Sequence, residues 1–137
     1  MATNQDAPFG LKPIGKVGQN RDNQGLSEYS VSASSAAIYF QDPVRAASQG
    51  TIRVAAAGET LIGSLNGIFF TDANTDKPTF ANHYSQVNAS DISAFVADDP
   101  YERFEIQSNK TTAHTQSDIF QNCNMEVTAG DSANFVS

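Results

Sequence analysis

The residues best placed to do chemistry in this chain are the acidic side chains of one short stretch, VADDPYERFEIQ, residues 96–107. Carboxylates such as Asp98, Asp99 and Glu102 could serve as general acid and base, or bind a cation, if they converged on one cleft. Adjacent residues of an extended chain point to opposite faces, however, and the Asp-x-Asp ladder with a distal Glu that is typical of calcium loops is missing. Asp favours turn starts and proline fixes φ, so the pattern predicts a structural β-turn at Asp98, Asp99 and Pro100.

The histidines and the cysteine have no catalytic or metal-binding spacing. His83 and His114 are the only histidines, and neither has a partner at the spacing of a zinc motif. Cys123 has no basic neighbour in sequence, and as the single cysteine it cannot form an internal disulfide. The chain also lacks a G-x-S-x-G motif, a P-loop and a G-x-G-x-x-G motif. We therefore expect no catalytic residues, no metal and no cofactor, and the protein is predicted not to be an enzyme.

Composition and charge narrow the class of protein. The chain has 137 residues, enough for one domain with a real core, and its formal net charge is −7, which disfavours nucleic-acid binding. Asn, Gln, Ser and Thr account for 44 residues, a composition that favours turns and short strands over long charged helices. The N-terminus lacks the pattern of a signal peptide and no apolar run is long enough for a membrane span. We expect a soluble protein made in a cytoplasm, with no membrane partner.

The N-terminal residues 1–25 lack any regular period. Two prolines and four glycines interrupt Ala7 to Gly25, yet Phe9, Leu11 and Ile14 are apolar, which is unusual for a linker. An extended arm that lays these side chains on another surface fits this pattern. We therefore predict an arm at residues 1–25 and a single β-rich domain at residues 26–137.

Short stretches typical of strands follow the arm. Tyr29 and Val31 alternate with polar residues, and Phe104 and Ile106 are expected to lie in the core after the acidic turn. Seven or eight such stretches, separated by Gly, Asn, Asp and Pro, predict an all-β fold: a small barrel or sandwich with an extended N-terminal arm. Periodicity alone does not distinguish a closed barrel from an open sandwich.

Three local features of the domain carry further predictions. Asn66-Gly67 is expected to form a tight turn between two strands. Ser117 is expected to cap the one short helix, and a last strand is expected around residues 125–127.

Five segments, taken in order, resemble a known family. They are APFGLKPIG, IYFQDPVR, AAAGETLIGSLNGIF, VADDPYERFEIQ and TAHTQSDIFQNCNMEV, and they span about residues 7–130. Together they resemble small head proteins of tailed phages, described as decoration or cement proteins of the capsid. The resemblance implies a non-catalytic β-rich subunit, often trimeric, on the outer surface of an icosahedral virion, where it bridges subunits of the major capsid protein.

The arm is the contact that we expect such a protein to use. Pro8 and Pro13 reduce the entropy lost on docking, and Phe9, Leu11 and Ile14 supply apolar area. The expected assembly is a homotrimer, synthesised in the host cytoplasm and carried on the virion.

Two other functions compete with this reading. The first is a capsid-surface projection that binds host glycans or cell-surface material through aromatic residues, for which Tyr39, Tyr84 and Tyr101 are available. The second, and the weaker, is a hydrolase that uses the acidic stretch at residues 98–102.

Overall fold

The fold consists almost entirely of short strands. The computed structural model describes residues 9–18, 25–109 and 111–137. Within these ranges the only helical structure is two 3-10 turns, Ser48–Gly50 and Gln116–Asp118, and no helix is long and apolar enough to cross a membrane. The predicted all-β class is confirmed. The strands are β1 Lys12–Lys16, β2 Ser27–Val31, β3 Pro43–Ala46, β4 Thr51–Val54, β5 Gly63–Asp72, β6 Lys77–Ala81, β7 Ser93–Ala97 and β8 Glu102–Glu105.

Five of these strands close into a barrel. Neighbours pair in the order β3-β4-β2-β7-β5, and β5 pairs back to β3 where Val44 lies opposite Gly63. All pairs are antiparallel except β2 with β4, whose register places Val31 opposite Ile52. β6 continues the sheet beyond the barrel on the second half of β5. The choice between barrel and sandwich that the periodicity left open is thus settled for the barrel.

The barrel encloses one apolar core. Tyr29 and Val31 pack against this core while Glu28 and Ser30 are exposed, in agreement with the period-two pattern of β2. Each fully buried aliphatic side chain contributes about 1.5–3 kcal/mol relative to exposure. The core consists of Ile38, Val44, Ile52, Leu65, Ile68, Phe70, Tyr84, Ala94 and Val96.

The Asn66-Gly67 pair does not form a turn, so that prediction was wrong. Both residues lie inside the ten-residue strand β5, and the register against β7 shifts between Leu65 and Gly67. The two residues act as a β-bulge, because the residues on both sides of them pair with the same neighbouring strand.

β1 and β8 form a separate two-stranded sheet beside the barrel. Lys12 lies opposite Glu105 and Pro13 opposite Phe104. An ion pair of 3.2 Å between Lys12 Nζ and Glu105 Oε2 joins the start of β1 to the end of β8. The core positions predicted for Phe104 and Ile106 were wrong: Phe104 is half-buried and Ile106 is 46% exposed. They lie outside the core because β8 pairs with the N-terminal segment and not with a barrel strand.

The C-terminal part of the chain is irregular. Among its described residues, 106–109 and 111–130 form no strand, so the strand expected at residues 125–127 was wrong. The short helix is a single 3-10 turn capped by Thr115, not by Ser117, since Thr115 N–H donates to Asp118 Oδ2 at 2.8 Å.

The last residues, 135–137, return to the barrel, and we call them the C-terminal hook. Val136 forms a parallel bridge with Phe40, and Ser137 N–H donates to the Phe40 carbonyl at 3.1 Å. The ring of Phe135 stacks on His83, with centroids 4.0 Å apart, and burial lowers the pKa of His83. The C-terminal hook therefore fixes the end of the chain to the segments that flank the barrel.

Candidate functional site

The acidic turn is tied into the fold. Asp98, Asp99 and Pro100 connect β7 to β8. Asp98 accepts two hydroxyl hydrogen bonds from β2, from Ser27 Oγ at 2.8 Å and from Tyr29 OH at 2.6 Å. The hydrogen bond to Asp98, followed by burial, raises the pKa of Tyr29. Asp98 therefore joins the end of β7 to β2.

The other two carboxylates hold β1. Asp99 Oδ2 forms an ion pair of 3.0 Å with Lys16 Nζ, and Asp99 Oδ1 accepts the Tyr101 N–H at 2.8 Å. Glu102 N–H donates to the Asp99 carbonyl at 2.9 Å, which closes the turn, and Glu102 Oε1 accepts the Gly15 N–H at 3.0 Å. Each carboxylate thus has a partner in the scaffold. Within the described ranges, no group of three His, Cys, Asp or Glu side chains could hold a metal ion.

The first described residues of the predicted arm lie against the barrel. Phe9 and Leu11 are half-buried, and Leu11 N–H donates to the Gln41 carbonyl at 2.8 Å. Lys12 Nζ lies 5.9 Å from the centroid of the Phe9 ring. Pro8, also predicted as a contact, lies outside the described residues. Phe9 and Leu11 therefore contribute part of their apolar area to this chain's own fold.

The second half of the predicted contact set lies in β1. Pro13 is half-buried opposite Phe104, whereas Ile14 is 52% exposed. Val17, just after the strand, is 56% exposed. The register against β8 shifts between Pro13 and Gly15, so Ile14 is the extra residue of a β-bulge, and only its side chain, not that of Pro13, is largely exposed. Ile14 and Val17 are the outward apolar groups of this segment.

An aromatic face on the outside of the barrel was not predicted. Phe69 lies directly opposite Phe80, and the Phe80 and Phe95 rings are 6.3 Å apart. Phe69 is 41% exposed and Phe80 63% exposed, while Phe95 is half-buried. The Phe80 ring covers Gly67, where a Cβ atom would come within 2.5 Å of Phe80 Cζ. We call Phe69, Phe80 and Phe95 the aromatic face.

The surroundings of the aromatic face are mostly uncharged. Ser93 of β7 lies opposite Phe69, and the next outward pair along β5 and β6 is Thr71 with Pro78. Glu28 borders the face on β2, opposite Phe95. Exposed apolar patches of this kind on a soluble protein usually mark a contact with another molecule. The signal in the sequence was the triplet Ile68-Phe69-Phe70, since a strand that buries its first and third residues must expose the second.

The three tyrosines considered for glycan binding do not form an aromatic platform. Tyr84 is 5% exposed and belongs to the core. Tyr39 is half-buried with its ring centroid 6.4 Å from that of His83. Only Tyr101, at the acidic turn, is largely exposed. A glycan platform would need several exposed rings, so this arrangement does not favour one.

No family model matches this chain, and neither a curated protein nor a solved structure is significantly similar to it. What the chain does is therefore inferred from its own residues and contacts.

Proposed function

We propose that this protein is a capsid decoration protein that binds the outer surface of an icosahedral phage head and bridges subunits of the major capsid protein. The observation that carries the proposal is the aromatic face, an exposed apolar surface on the outside of a closed barrel. Aromatic side chains are enriched at the centres of protein interfaces, where they supply most of the binding energy. The five segments from APFGLKPIG to TAHTQSDIFQNCNMEV, which resemble phage decoration proteins, support the same proposal.

The closed barrel suits a mechanical role. A protein that holds neighbouring subunits together must transmit load without deforming, and a barrel has few free strand edges to open. The aromatic face lies on β5, β6 and β7, while Ile14 and Val17 belong to the separate segment around β1. Two apolar surfaces on one small protein can engage two neighbours. Several weak contacts then act together, most effectively if the protein is a trimer.

The free strand edges favour docking through side chains. β1 and β6 each lie at the edge of a sheet and each contains a proline, Pro13 and Pro78. Proline has no N–H to donate and is a common protection against the addition of a further strand. We therefore expect the capsid contact to be made by the aromatic face and by Ile14, not by extension of a sheet at β1 or β6.

Binding to phage heads that lack this protein tests the proposal. Purified protein is mixed with such heads and the bound fraction is measured by co-sedimentation over a range of concentrations. Burial of one phenylalanine contributes about 1.5–3 kcal/mol, so Phe80→Ser should weaken binding about 10- to 100-fold. Tyr101→Ser, which removes an exposed ring outside the aromatic face, is the matched control.

Three outcomes separate the parts of the proposal. Absence of binding by the unmodified protein would reject the decoration role. Binding that survives Phe80→Ser but is lost in Ile14→Ser would assign the contact to the predicted arm alone. Binding unchanged in both variants would reject both surfaces while leaving the fold intact.

A further inference from the structure

The described residues between Ile106 and Gly130 form a long exposed segment outside the barrel. They include no strand, and of those described only Asp118, Met125, Val127 and Gly130 are even half-buried. Loops of this length without regular structure are uncommon in compact domains and are usually functional. Neither the aromatic face nor β1 explains why this segment is present.

Three side chains of this segment, those of Ser108, His114 and Asp118, form a chain of polar contacts. Ser108 Oγ lies 2.8 Å from His114 Nε2, and His114 Nδ1 lies 3.4 Å from Asp118 Oδ2. The two ring nitrogens of the histidine therefore face different partners, a hydroxyl on one side and a carboxylate on the other. A hydroxyl, an imidazole and a carboxylate in this order are the groups that activate a serine nucleophile on several unrelated folds.

The Asp118 carboxylate is oriented by its own turn. Thr115 N–H donates to Asp118 Oδ2 at 2.8 Å, and Asp118 N–H donates to the Thr115 carbonyl at 3.0 Å. A carboxylate beside Nδ1 of a histidine favours the tautomer with the proton on that nitrogen, so that Nε2 accepts a proton from the hydroxyl. Ser108, His114 and Asp118 match no local hydrolase motif, and for this reason the sequence predicted no catalytic residue.

The hydroxyl and the imidazole line a groove with apolar walls. The groove has a volume of about 830 Å³, which is within the range of pockets that bind small molecules. Asn124 lines it as well, and its side-chain amide is a hydrogen-bond donor of the kind that stabilises an oxyanion. The apolar lining comes from the N-terminal segment on one side and from residues 106–127 on the other: Phe9, Leu11, Ile106, Met125 and Val127.

We propose that Ser108 is a nucleophile that hydrolyses esters of apolar carboxylic acids, with His114 as general base and Asp118 as positioning residue. Ser108 Oγ forms a bond to the ester carbonyl carbon while its proton passes to His114 Nε2. The bond to the alcohol oxygen then breaks, and the alcohol leaves with the proton from His114, so that the acyl group stays on Ser108. Water attacks this acyl group with the same proton transfers and releases the carboxylic acid.

The exposure of the site limits the rate and the choice of substrate. The side chain of His114 is 59% exposed and that of Asp118 is 36% exposed. Charge that develops in a solvated site is stabilised less by the protein than charge in a dry one. We therefore expect slow turnover and a preference for activated esters, whose leaving groups need little help from a proton donor.

Purified full-length protein and p-nitrophenyl butyrate, an activated ester with an apolar acyl group, test the proposal without phage heads. Its failure would therefore be separate from any failure to bind them. We expect hydrolysis above the buffer rate, and Ser108→Ala should lower it to that rate. His114→Gln should lower kcat about 100-fold, at the lower end of the effect of a general base. Asp118→Asn should lower kcat with little change in KM, whereas a role only in shaping the groove would raise KM.

Labelling with a fluorophosphonate gives a readout that does not depend on turnover. Ser108 Oγ forms a bond to phosphorus as fluoride leaves, and peptide mapping locates the added mass. We expect the label on Ser108, and much slower labelling in His114→Gln because the hydroxyl then lacks its base. Ser132→Ala is the matched control, since it removes an exposed hydroxyl outside the groove lining and should leave hydrolysis and labelling unchanged.

Circular dichroism checks that the variants are folded, as expected for changes in this exposed segment. Unmodified protein that neither hydrolyses the ester nor takes the label would overturn the proposal. Hydrolysis that persists in Ser108→Ala would overturn it equally, because the activity would then belong to another residue or to a contaminant. A label found on a serine other than Ser108 would have the same consequence.

Discussion

Removal of the Asp98 carboxylate should destabilise the protein although this residue lies in the short connection between β7 and β8. Asp98 accepts hydrogen bonds from the hydroxyls of Ser27 and Tyr29, and both bonds are partly buried. A hydrogen bond to a charged group contributes about 1.5–3 kcal/mol. Because solvent reaches this site, the lower value applies to each bond, and Asp98→Ala should lower the free energy of unfolding by about 3 kcal/mol.

Urea denaturation followed by circular dichroism measures this loss. Combining Asp98→Ala with Tyr29→Phe in a double-mutant cycle should give a coupling of about 1.5 kcal/mol, since either single change removes the shared hydrogen bond. Glu28→Ala is the control, because Glu28 is an exposed acidic residue on β2, between the hydrogen-bond partners Ser27 and Tyr29. It should change the free energy of unfolding by no more than about 0.5 kcal/mol.

The same contact predicts a change at alkaline pH. The pKa of Tyr29 in the folded state is raised above its ordinary value of 10.0, first by the hydrogen bond to Asp98. The unfolded chain therefore loses this proton at lower pH than the folded protein does. The stabilisation is complete below about pH 10 and is lost as pH rises through the folded pKa. Tyr29→Phe should show a smaller decline, since burial also raises the pKa of Tyr84, whose contribution remains in this variant.

Two results would refute the reasoning. One is an Asp98→Ala variant as stable as Glu28→Ala, and the other is a coupling energy near zero. Either would mean that the fold does not need this carboxylate, and a chemical role for the acidic turn would have to be considered again.

Three further predictions concern the close approach at Gly63, the exposure of Ile106 and the burial of Asp42. Gly63→Ala should lower the free energy of unfolding in urea by about 3 kcal/mol, because the added Cβ would lie 1.9 Å from a backbone carbonyl of β7. Gly58→Ala is in open space at φ 79° and should lower it by about 1 kcal/mol. Equal losses would contradict the close approach of β5 to β7 at Gly63. Ile68→Ala should cost about 2–5 kcal/mol and Ile106→Ala about 1 kcal/mol or less, and similar losses would contradict the exposure of Ile106. Burial raises the pKa of the Asp42 carboxyl, so the stabilising contribution of this group is present below about pH 3.8 and is lost as pH rises through the folded pKa. The free energy of unfolding of Asp42→Asn should therefore increase relative to that of the unmodified protein between about pH 3 and pH 7. A difference between the two proteins that does not depend on pH would refute this prediction.

Local patterns predicted the strands better than their partners. The alternation around Tyr29 and Val31 identified one barrel strand, because side-chain period depends only on nearby sequence. The pairing of β1 with β8 joins residues about ninety positions apart in sequence. No local pattern encodes such a distance, and for that reason Phe104 was assigned to the wrong environment.

The aromatic face shows the same limit for the candidate site. Phe69 is exposed because Ile68 and Phe70 on either side of it are buried, and Phe80 lies beside it only because β6 pairs with β5. Conversely, local residue types predicted a turn at Asp98, Asp99 and Pro100, and the hydrogen-bonded turn runs from Asp99 to Glu102. The hydrogen bonds of Asp98 to Ser27 and Tyr29 required the tertiary structure, because they join residues that are far apart in sequence.

The position of β2 between β4 and β7 affects how the chain folds while it is being synthesised. Ser27–Val31 leaves the ribosome early, but its antiparallel partner Ser93–Ala97 is made more than sixty residues later. Until then one edge of β2 has no partner strand, and the nascent polypeptide exposes unpaired backbone groups that can pair with other chains. Such distant pairing slows folding, and a slowly translated or truncated transcript should therefore yield insoluble material.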